Sequence, residues 1–134
     1  MSYLLDTDTC IYWLRNRQSV RERVREIGWN KISICVITVA ELYYGAYNSN
    51  RVTENLARAE FFIQNLPVLP LNDTALRRFG ELKAELRRTG QPIADFDLLI
   101  ASVALAAGYI LVTNNTRHYE RITGLQLENW TIQT

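Results

Sequence analysis

The chain has 134 residues, of which 48% are hydrophobic and 22% are charged, and this composition fits one globular domain, residues 1–134, with its own core. With a net charge of +1, no long uncharged apolar stretch and no signal-peptide pattern at the start, we expect a cytoplasmic protein that does not enter a membrane. Two cysteines and one histidine exclude a disulfide framework and a structural zinc site, and both cysteines are expected to pack as small hydrophobes.

The first half of the chain alternates short apolar strands with segments of helical periodicity. In chain order, the pattern predicts a strand at 3–5, a helix carrying Ile11 and Leu14, a helix opened by the capping box Ser19–Glu22 and ending at Ile27, a strand at 32–37, a helix starting near Thr38 and a helix at 51–65.

The second half continues the alternation. It predicts a strand at 68–71, a helix capped by Asn72 or Asp73 that stops at Thr89 and Gly90, an apolar helix that ends at Gly108, a strand at 110–113, a short helix at 117–122 and an edge strand at 127–132. Strands separated by helices predict an α/β fold, with helices on both faces of a parallel sheet.

Polar side chains from four segments are expected at one edge of this sheet, because ligands of such sheets bind beyond the carboxyl ends of the strands. In chain order these are Asp6 and Asp8, Thr38 and Glu41, Asp95 and Asp97, and Asn114 and Asn115. Each also has a structural interpretation. Asp8 and Asp95 are good helix caps, Thr38 with Glu41 fits a capping box, and the asparagines suit turns.

Three or more carboxylates without basic partners repel one another at neutral pH unless a cation lies between them. Oxygen ligands without histidine or thiolate suit Mg²⁺, with Mn²⁺ as the alternative. Such an ion supports hydrolysis of a phosphodiester. The pattern therefore indicates metal-assisted phosphodiester hydrolysis at this edge.

The basic residues favour a nucleic acid substrate more than the net charge does. Only Lys31 and Lys83 are lysines, so 13 of the 15 basic residues are arginines, which bind phosphate with two donors. Most arginines also fit solvated helix faces with glutamate partners. Nine acidic residues remain, against 15 basic residues, when five acids are set aside: Asp6, Asp8, Glu41, Asp95 and Asp97. The surplus of six positive charges can attract an RNA or DNA backbone.

Four stretches of the chain resemble a known family in order and spacing. LLDTDTCIYWL, TVAELYYGA, GQPIADFDLLIASVALAAG and ILVTNNTRHYERITGLQLENW are similar to the PIN-domain ribonucleases, and specifically to the VapC toxins of bacterial toxin–antitoxin pairs. The resemblance runs from the first strand to Trp130. It implies a three-layer α/β/α sandwich around a mainly parallel sheet, a Mg²⁺-dependent endoribonuclease with tRNA among its candidate substrates, and a VapB-type antitoxin as inhibitor.

The resemblance also assigns residues. Asp6, Glu41 and Asp97 match the first, second and third acids of the family and would be both catalytic residues and metal ligands. Asn115 stands where many PIN domains have a further acid, which makes a second metal ion less expected there, and it is carried over as a fourth catalytic position. Asp95 falls at a position that the family leaves variable.

The aromatic residues that follow Glu41 suggest a partner surface, and a mixed core and surface helix explains them equally well. The candidates for anchoring an antitoxin tail or a symmetric homodimer contact are Tyr43, Tyr44, Tyr47, Phe61 and Phe62. We therefore expect a homodimer or a toxin–antitoxin hetero-oligomer.

Three rival functions fit part of the pattern. A haloacid dehalogenase-like phosphatase shares a strand followed by D-x-D, and a receiver-like domain also places acids there, but both need a lysine beyond a later strand. Lys31 precedes a strand and Lys83 lies inside a helix. A PIN-like binding module that has lost catalysis would keep an acidic pocket for a basic tail, and Asn115 supports it. Triad chemistry is disfavoured because His118 is alone and is expected on the surface.

Overall fold

The computed structural model describes residues 1–132 and contains strands and helices in the predicted alternating order. The strands are β1 (Tyr3–Leu5), β2 (Ile32–Cys35), β3 (Val68–Leu69), β4 (Ile110–Val112) and β5 (Leu127–Glu128). The helices are α1 (Thr7–Leu14), α2 (Gln18–Ile27), α3 (Val36–Tyr47), α4 (Val52–Gln64), α5 (Asp73–Arg88), α6 (Asp95–Ala107) and α7 (Thr116–Tyr119), with a 3₁₀ turn at Trp29–Lys31. Positions 133 and 134 of the predicted domain lie outside the described residues.

The five strands form one sheet in the order β3-β2-β1-β4-β5, and all four neighbouring pairs are parallel. Leu5 at the end of β1 lies opposite Ile34 of β2 on one side and Val112 of β4 on the other. From β1 the chain builds outward through β2 and β3, then returns to add β4 and β5 on the other side. The strand order therefore reverses between β1 and β4, which is the position where parallel α/β sheets form ligand crevices.

Alternation along the strands divides the interior into two cores, one on each face of the sheet. Leu4 and Leu111 face α5 and α6, in a core that also contains Leu98 and Ile100. The neighbouring strand residues point the other way, toward α1 to α4, and they are Tyr3, Leu5, Ile32, Ile34, Ile110 and Val112. Helices cover both faces, so the predicted three-layer α/β/α sandwich is confirmed.

α6 is buried along most of its length, as its apolar sequence predicts. It ends where Gly108 adopts φ 72°, a left-handed conformation that glycine reaches without steric cost, and the Tyr109 amide then bonds to the carbonyl of Ala104. Among residues 1–132, no helix is long and apolar enough to cross a membrane. Both cysteines are buried and unpaired, as expected.

Two predicted helix starts are wrong. The Ser19–Glu22 capping box does not form, because α2 begins one residue earlier at Gln18, after the chain has turned at Asn16 with φ 63°. α3 starts at Val36 and not near Thr38, and the sulfur of Cys35 accepts the Ile37 amide as its cap. An apolar run such as 32–37 fits a strand or a buried helical turn equally well, so periodicity alone misplaced this boundary.

The other boundaries shift by smaller amounts, mostly toward shorter elements. α4 lacks the two terminal residues predicted for it, and β3 ends before Pro70, which has no amide to donate to a neighbouring strand. β4 ends one residue early, α7 covers 116–119 in place of 117–122, and β5 covers only two of the six predicted residues. Of the two proposed caps for α5, Asn72 is the one that forms.

Candidate active site

Asp6 lies directly after β1, at the point where the strand order reverses. Its amide donates to the carbonyl of Val112 in β4 at 3.0 Å, and its carboxylate accepts the Thr9 amide at 2.9 Å. Asp6 is therefore the N-cap of α1, and the expectation that Asp8 caps this helix is wrong. Burial raises the pKa of Asp6 from its ordinary 3.8 to about 6, although hydrogen bonds from Thr113 and Thr9 oppose the rise.

Glu41 lies on α3, half-buried, on the side of the sheet that also carries α1. Its Oε1 accepts the hydroxyl of Thr7 at 2.6 Å. The alternative role for Glu41, as part of a capping box with Thr38, is excluded because Thr38 is already inside α3 and is fully buried. Glu41 is thus free of helix capping and is held by the first residue of α1.

The structure separates Asp97 from Asp95. Asp95 is exposed and forms a salt bridge with Lys83 of α5 at 2.9 Å, and Ala94, not Asp95, is the N-cap of α6. Asp97 is half-buried in the first turn. Burial raises its pKa, the nearby His118 opposes that rise, and Asp8 adds to it. Asp97 is therefore the acid of this pair that has no salt bridge among the described residues and that is influenced by Asp8.

Asn115 follows β4 and precedes α7, with its side chain exposed and not engaged as a cap. The backbone amide of Asn115 donates to the Thr113 hydroxyl at 3.1 Å. This bond ties the backbone to the side chain that also hydrogen-bonds Asp6. Asn114 is also exposed and donates to the Tyr12 hydroxyl at 3.0 Å. The side-chain amide of Asn115 is thus available to a ligand at the mouth of the crevice.

The predicted acids affect the electrostatics of Tyr119, which is buried on α7. Burial raises the pKa of the Tyr119 hydroxyl, and four carboxylates add to the rise, those of Asp97, Asp6, Asp8 and Glu41. Each of these acids therefore lies within electrostatic range of Tyr119. That Asp6, Glu41 and Asp97 meet around one cation stays a prediction.

The donor set fits a hard divalent cation. Within residues 1–132, none of Asp6, Glu41 and Asp97 forms a salt bridge, and their hydrogen bonds come from neutral hydroxyl and amide groups. In the same part of the chain, no three Asp, Glu, His or Cys side chains are close enough to enclose a metal ion by themselves. Mg²⁺ requires only one or two carboxylates because it keeps several waters, so an open arrangement suits it.

His118 is a residue that sequence reasoning misplaced. It was expected on the surface, but it is half-buried on α7. Its ring lies edge-on to that of the adjacent Tyr119, with centroids 5.3 Å apart, and it is close enough to Asp97 to oppose the rise in that carboxyl's pKa. The lysines that the phosphatase and receiver alternatives require are not here, since Lys83 pairs with Asp95 and Lys31 precedes β2.

Comparison with known proteins gives a consistent assignment. The PIN domain family model matches residues 3–125. The chain is 41% identical over 131 residues to the tRNA(fMet)-specific endonuclease VapC of Shigella flexneri, covering 97% of this chain and 98% of that protein. It is 40% identical over 132 residues to ribonuclease VapC2 of Haemophilus influenzae, covering 97% and 98%.

Solved structures of VapBC complexes are similar to this chain in fold and in sequence. DNA-bound VapBC from Salmonella typhimurium matches with a TM-score of 0.91 and 40% identity, covering 97% of this chain and 98% of that chain. VapBC2 from Rickettsia felis, bound to a promoter DNA fragment, matches with a TM-score of 0.90 and 36% identity, covering 97% and 99%. The chain belongs to the PIN domain family and, within that family, to the VapC ribonucleases.

Proposed function

We propose that this protein is the toxin of a type II toxin–antitoxin pair, an endoribonuclease that hydrolyses phosphodiester bonds in RNA at the acids of the β1–β4 crevice. The observation that supports this most is that Glu41 is held at 2.6 Å by Thr7, the residue after Asp6 at the end of β1, while no salt bridge in the described chain neutralises Asp6, Glu41 or Asp97. A structural role would not require acids from three separate segments to lack basic partners near one crevice.

The residues of such a site would have different roles. Asp6, Glu41 and Asp97 would hold Mg²⁺, or Mn²⁺ in its place, and the exposed amide of Asn115 would orient water or a phosphate oxygen at the mouth of the crevice. The cation, when bound, would neutralise charge on the phosphodiester and lower the pKa of the attacking water. Thr9 and Thr113 orient the carboxylate of Asp6 by hydrogen bonds that leave its charge in place.

For the substrate we propose tRNA, and initiator tRNA first. Two relatives named tRNA(fMet)-specific endonuclease are 41% and 40% identical over 97% of this chain, so the surfaces that choose the RNA are expected to be similar. The surplus of basic residues outside the acids would attract the RNA backbone. The protein would then act in the cytoplasm, where tRNA is found.

The partner is a VapB-type antitoxin, since the matching structures are VapBC complexes. A groove of about 190 Å³ between α1, α3 and α4 begins at Glu41 and continues past Gly45 to Asn55, a path that would lead an antitoxin tail to the acids. Of the proposed anchoring aromatics, Tyr44, Tyr47 and Phe61 are exposed by 69%, 63% and 72%.

Two of the proposed anchors are less accessible to an antitoxin tail. Phe62 is wrong as an anchor because it is 3% exposed and packs in the core against Trp13. Tyr43 is only half-exposed.

The test is cleavage of purified tRNAs by the purified chain, with Mg²⁺ and with excess chelator. We expect initiator tRNA to be cut in Mg²⁺ and left intact in chelator, and elongator tRNAs to be cut more slowly. Cleavage that chelator leaves unchanged would contradict the metal-dependent mechanism. No cleavage of any RNA, together with tight antitoxin binding, would instead indicate the binding module that has lost catalysis.

A further inference from the structure

Three side chains link α1 to α3 beside the acids. The hydroxyl of Thr7 lies 2.6 Å from Oε1 of Glu41 and 3.1 Å from the hydroxyl of Thr38. Thr7 and Glu41 are half-buried and Thr38 is fully buried. The short distance to the carboxylate is that of a charge-assisted hydrogen bond.

The chemistry of the groups fixes the direction of these bonds. An ionised carboxylate only accepts, and a hydroxyl has one hydrogen to donate. Thr7 therefore donates to Glu41 and accepts from the Thr38 hydroxyl. The buried hydroxyl of Thr38 leaves Thr7 oriented toward Glu41.

Thr7 is also the first residue of α1, directly after Asp6. The same turn of helix thus binds one acid through the Thr9 amide and a second acid, on another helix, through the Thr7 hydroxyl. Both carboxylates are thereby tied by hydrogen bonds to the first turn of α1.

The partner of Glu41 is neutral, which matters for a cation site. Asp95, outside the site, is neutralised by Lys83 at 2.9 Å, and a lysine at Glu41 would compete with a divalent cation in the same way. A hydroxyl fixes one carboxylate oxygen and leaves both the charge and the second oxygen available. Partners of this kind orient metal-binding carboxylates in proteins, and their loss weakens metal affinity by roughly 10- to 100-fold.

We propose that Thr7 is a positioning residue of the nuclease, whose hydroxyl holds the Glu41 carboxylate in the orientation that binds the divalent cation. This inference rests on the proposed metal-dependent function. It assigns to Thr7 a role in cation affinity that the acids alone do not account for.

The test measures Mn²⁺ binding directly, by electron paramagnetic resonance of free Mn²⁺ and without RNA. Thr7→Val removes the hydroxyl at nearly constant volume, and Thr7→Ala removes it without a β-branched side chain. Thr7→Ser keeps the hydroxyl. Thr74→Val, at an exposed position on α5, is the matched control. Thermal unfolding of each variant reports whether the fold is retained.

We expect Thr7→Val and Thr7→Ala to weaken Mn²⁺ binding by roughly 10- to 100-fold, with Thr7→Ser within about threefold of the original chain. The control should bind as the original chain does. Unchanged binding by the hydroxyl-free variants, or an equal loss in Thr7→Ser, would overturn the role of Thr7 while leaving the nuclease assignment intact. If the original chain binds no Mn²⁺, the metal site itself is wrong, and the role of Thr7 fails with it.

Discussion

Burial makes Asp6 costly to keep ionised. The side chain is 7% exposed, and burial raises its pKa from 3.8 to about 6. The folded state therefore binds a proton more tightly than the unfolded state, and stability falls as pH rises from about 4 to 6. Above that range, the ionised carboxylate costs the cation-free fold about 3 kcal/mol. A bound divalent cation would offset this cost.

Asp6→Asn should therefore stabilise the cation-free protein in a pH-dependent way. The amide oxygen of asparagine can still accept the Thr9 amide, so the cap is kept while the buried charge is lost. We expect the free energy of unfolding to rise by roughly 1 to 3 kcal/mol at pH 8 and to be nearly unchanged at pH 4. Urea denaturation of both proteins in chelator, at pH 4, 6 and 8, measures this difference in the free energy of unfolding.

Asp8→Asn is the matched control for this prediction, since Asp8 lies two residues away on α1 but is exposed. Its effect on unfolding should stay within about 0.5 kcal/mol at each pH. A gain for Asp6→Asn that is the same at pH 4 and pH 8 would show that the buried charge is not its cause.

The family motifs single out Asp6, Glu41 and Asp97 as a group, and their joint role as metal ligands stays a prediction. Capping preference alone did not separate Asp97 from Asp95. That distinction depends on Lys83, which is 12 residues from Asp95 along the chain and meets it only through the packing of α5 on α6. His118 likewise influences the pKa of Asp97 only because folding brings the two segments near each other.

Helices and strands were predicted in the correct order, but their ends were less predictable. Caps with a side-chain oxygen, such as Asn72, carry a clear signal, whereas the sulfur cap of Cys35 at α3 does not. Short strands also lose terminal residues when no neighbour pairs with them, as β5 does after Glu128. Local propensity gives the type of an element, and tertiary pairing decides where it stops.

Asn72→Ala should weaken α5 without changing the chemistry of the acids. The Asn72 side chain accepts the Ala75 amide at 2.9 Å, and loss of such a cap costs about 1 kcal/mol. Asn72→Asp keeps an acceptor and should be nearly neutral. Urea denaturation compares the variants, and Mn²⁺ binding by the folded protein should be equal in all of them. A loss of stability in Asn72→Asp as large as in Asn72→Ala would contradict the cap.

The assembly of the elements was predictable only in part. Alternation of strands and helices predicts a parallel sheet, but the order β3-β2-β1-β4-β5 depends on which side of β1 the chain returns to, and no local pattern encodes that choice. The family resemblance predicted the three-layer sandwich and the parallel sheet, but not this strand order. The crevice between β1 and β4, where we place the active site, follows from that order.

An antitoxin that silences this site should place a cation of its own among the acids. Arginine is best suited, because it pairs with two carboxylate oxygens at once and would displace Mg²⁺. We expect replacement of that tail arginine by alanine to restore RNA cleavage by the complex and to weaken the complex by 2 kcal/mol or more, roughly 30-fold in Kd. Inhibition and affinity that do not change would show that silencing does not use the acids.

RNA cleavage by Asp97→Asn, compared with Asp95→Asn in the same assay, tests the account most directly. The two positions are two residues apart on α6, but only Asp97 is assigned to the cation, while Asp95 pairs with Lys83. We predict that Asp97→Asn lowers cleavage by about 100-fold or more with the fold retained, and that Asp95→Asn cleaves as the original chain does. Full cleavage by a folded Asp97→Asn, or equal losses in both variants, would contradict the assignment of the active site.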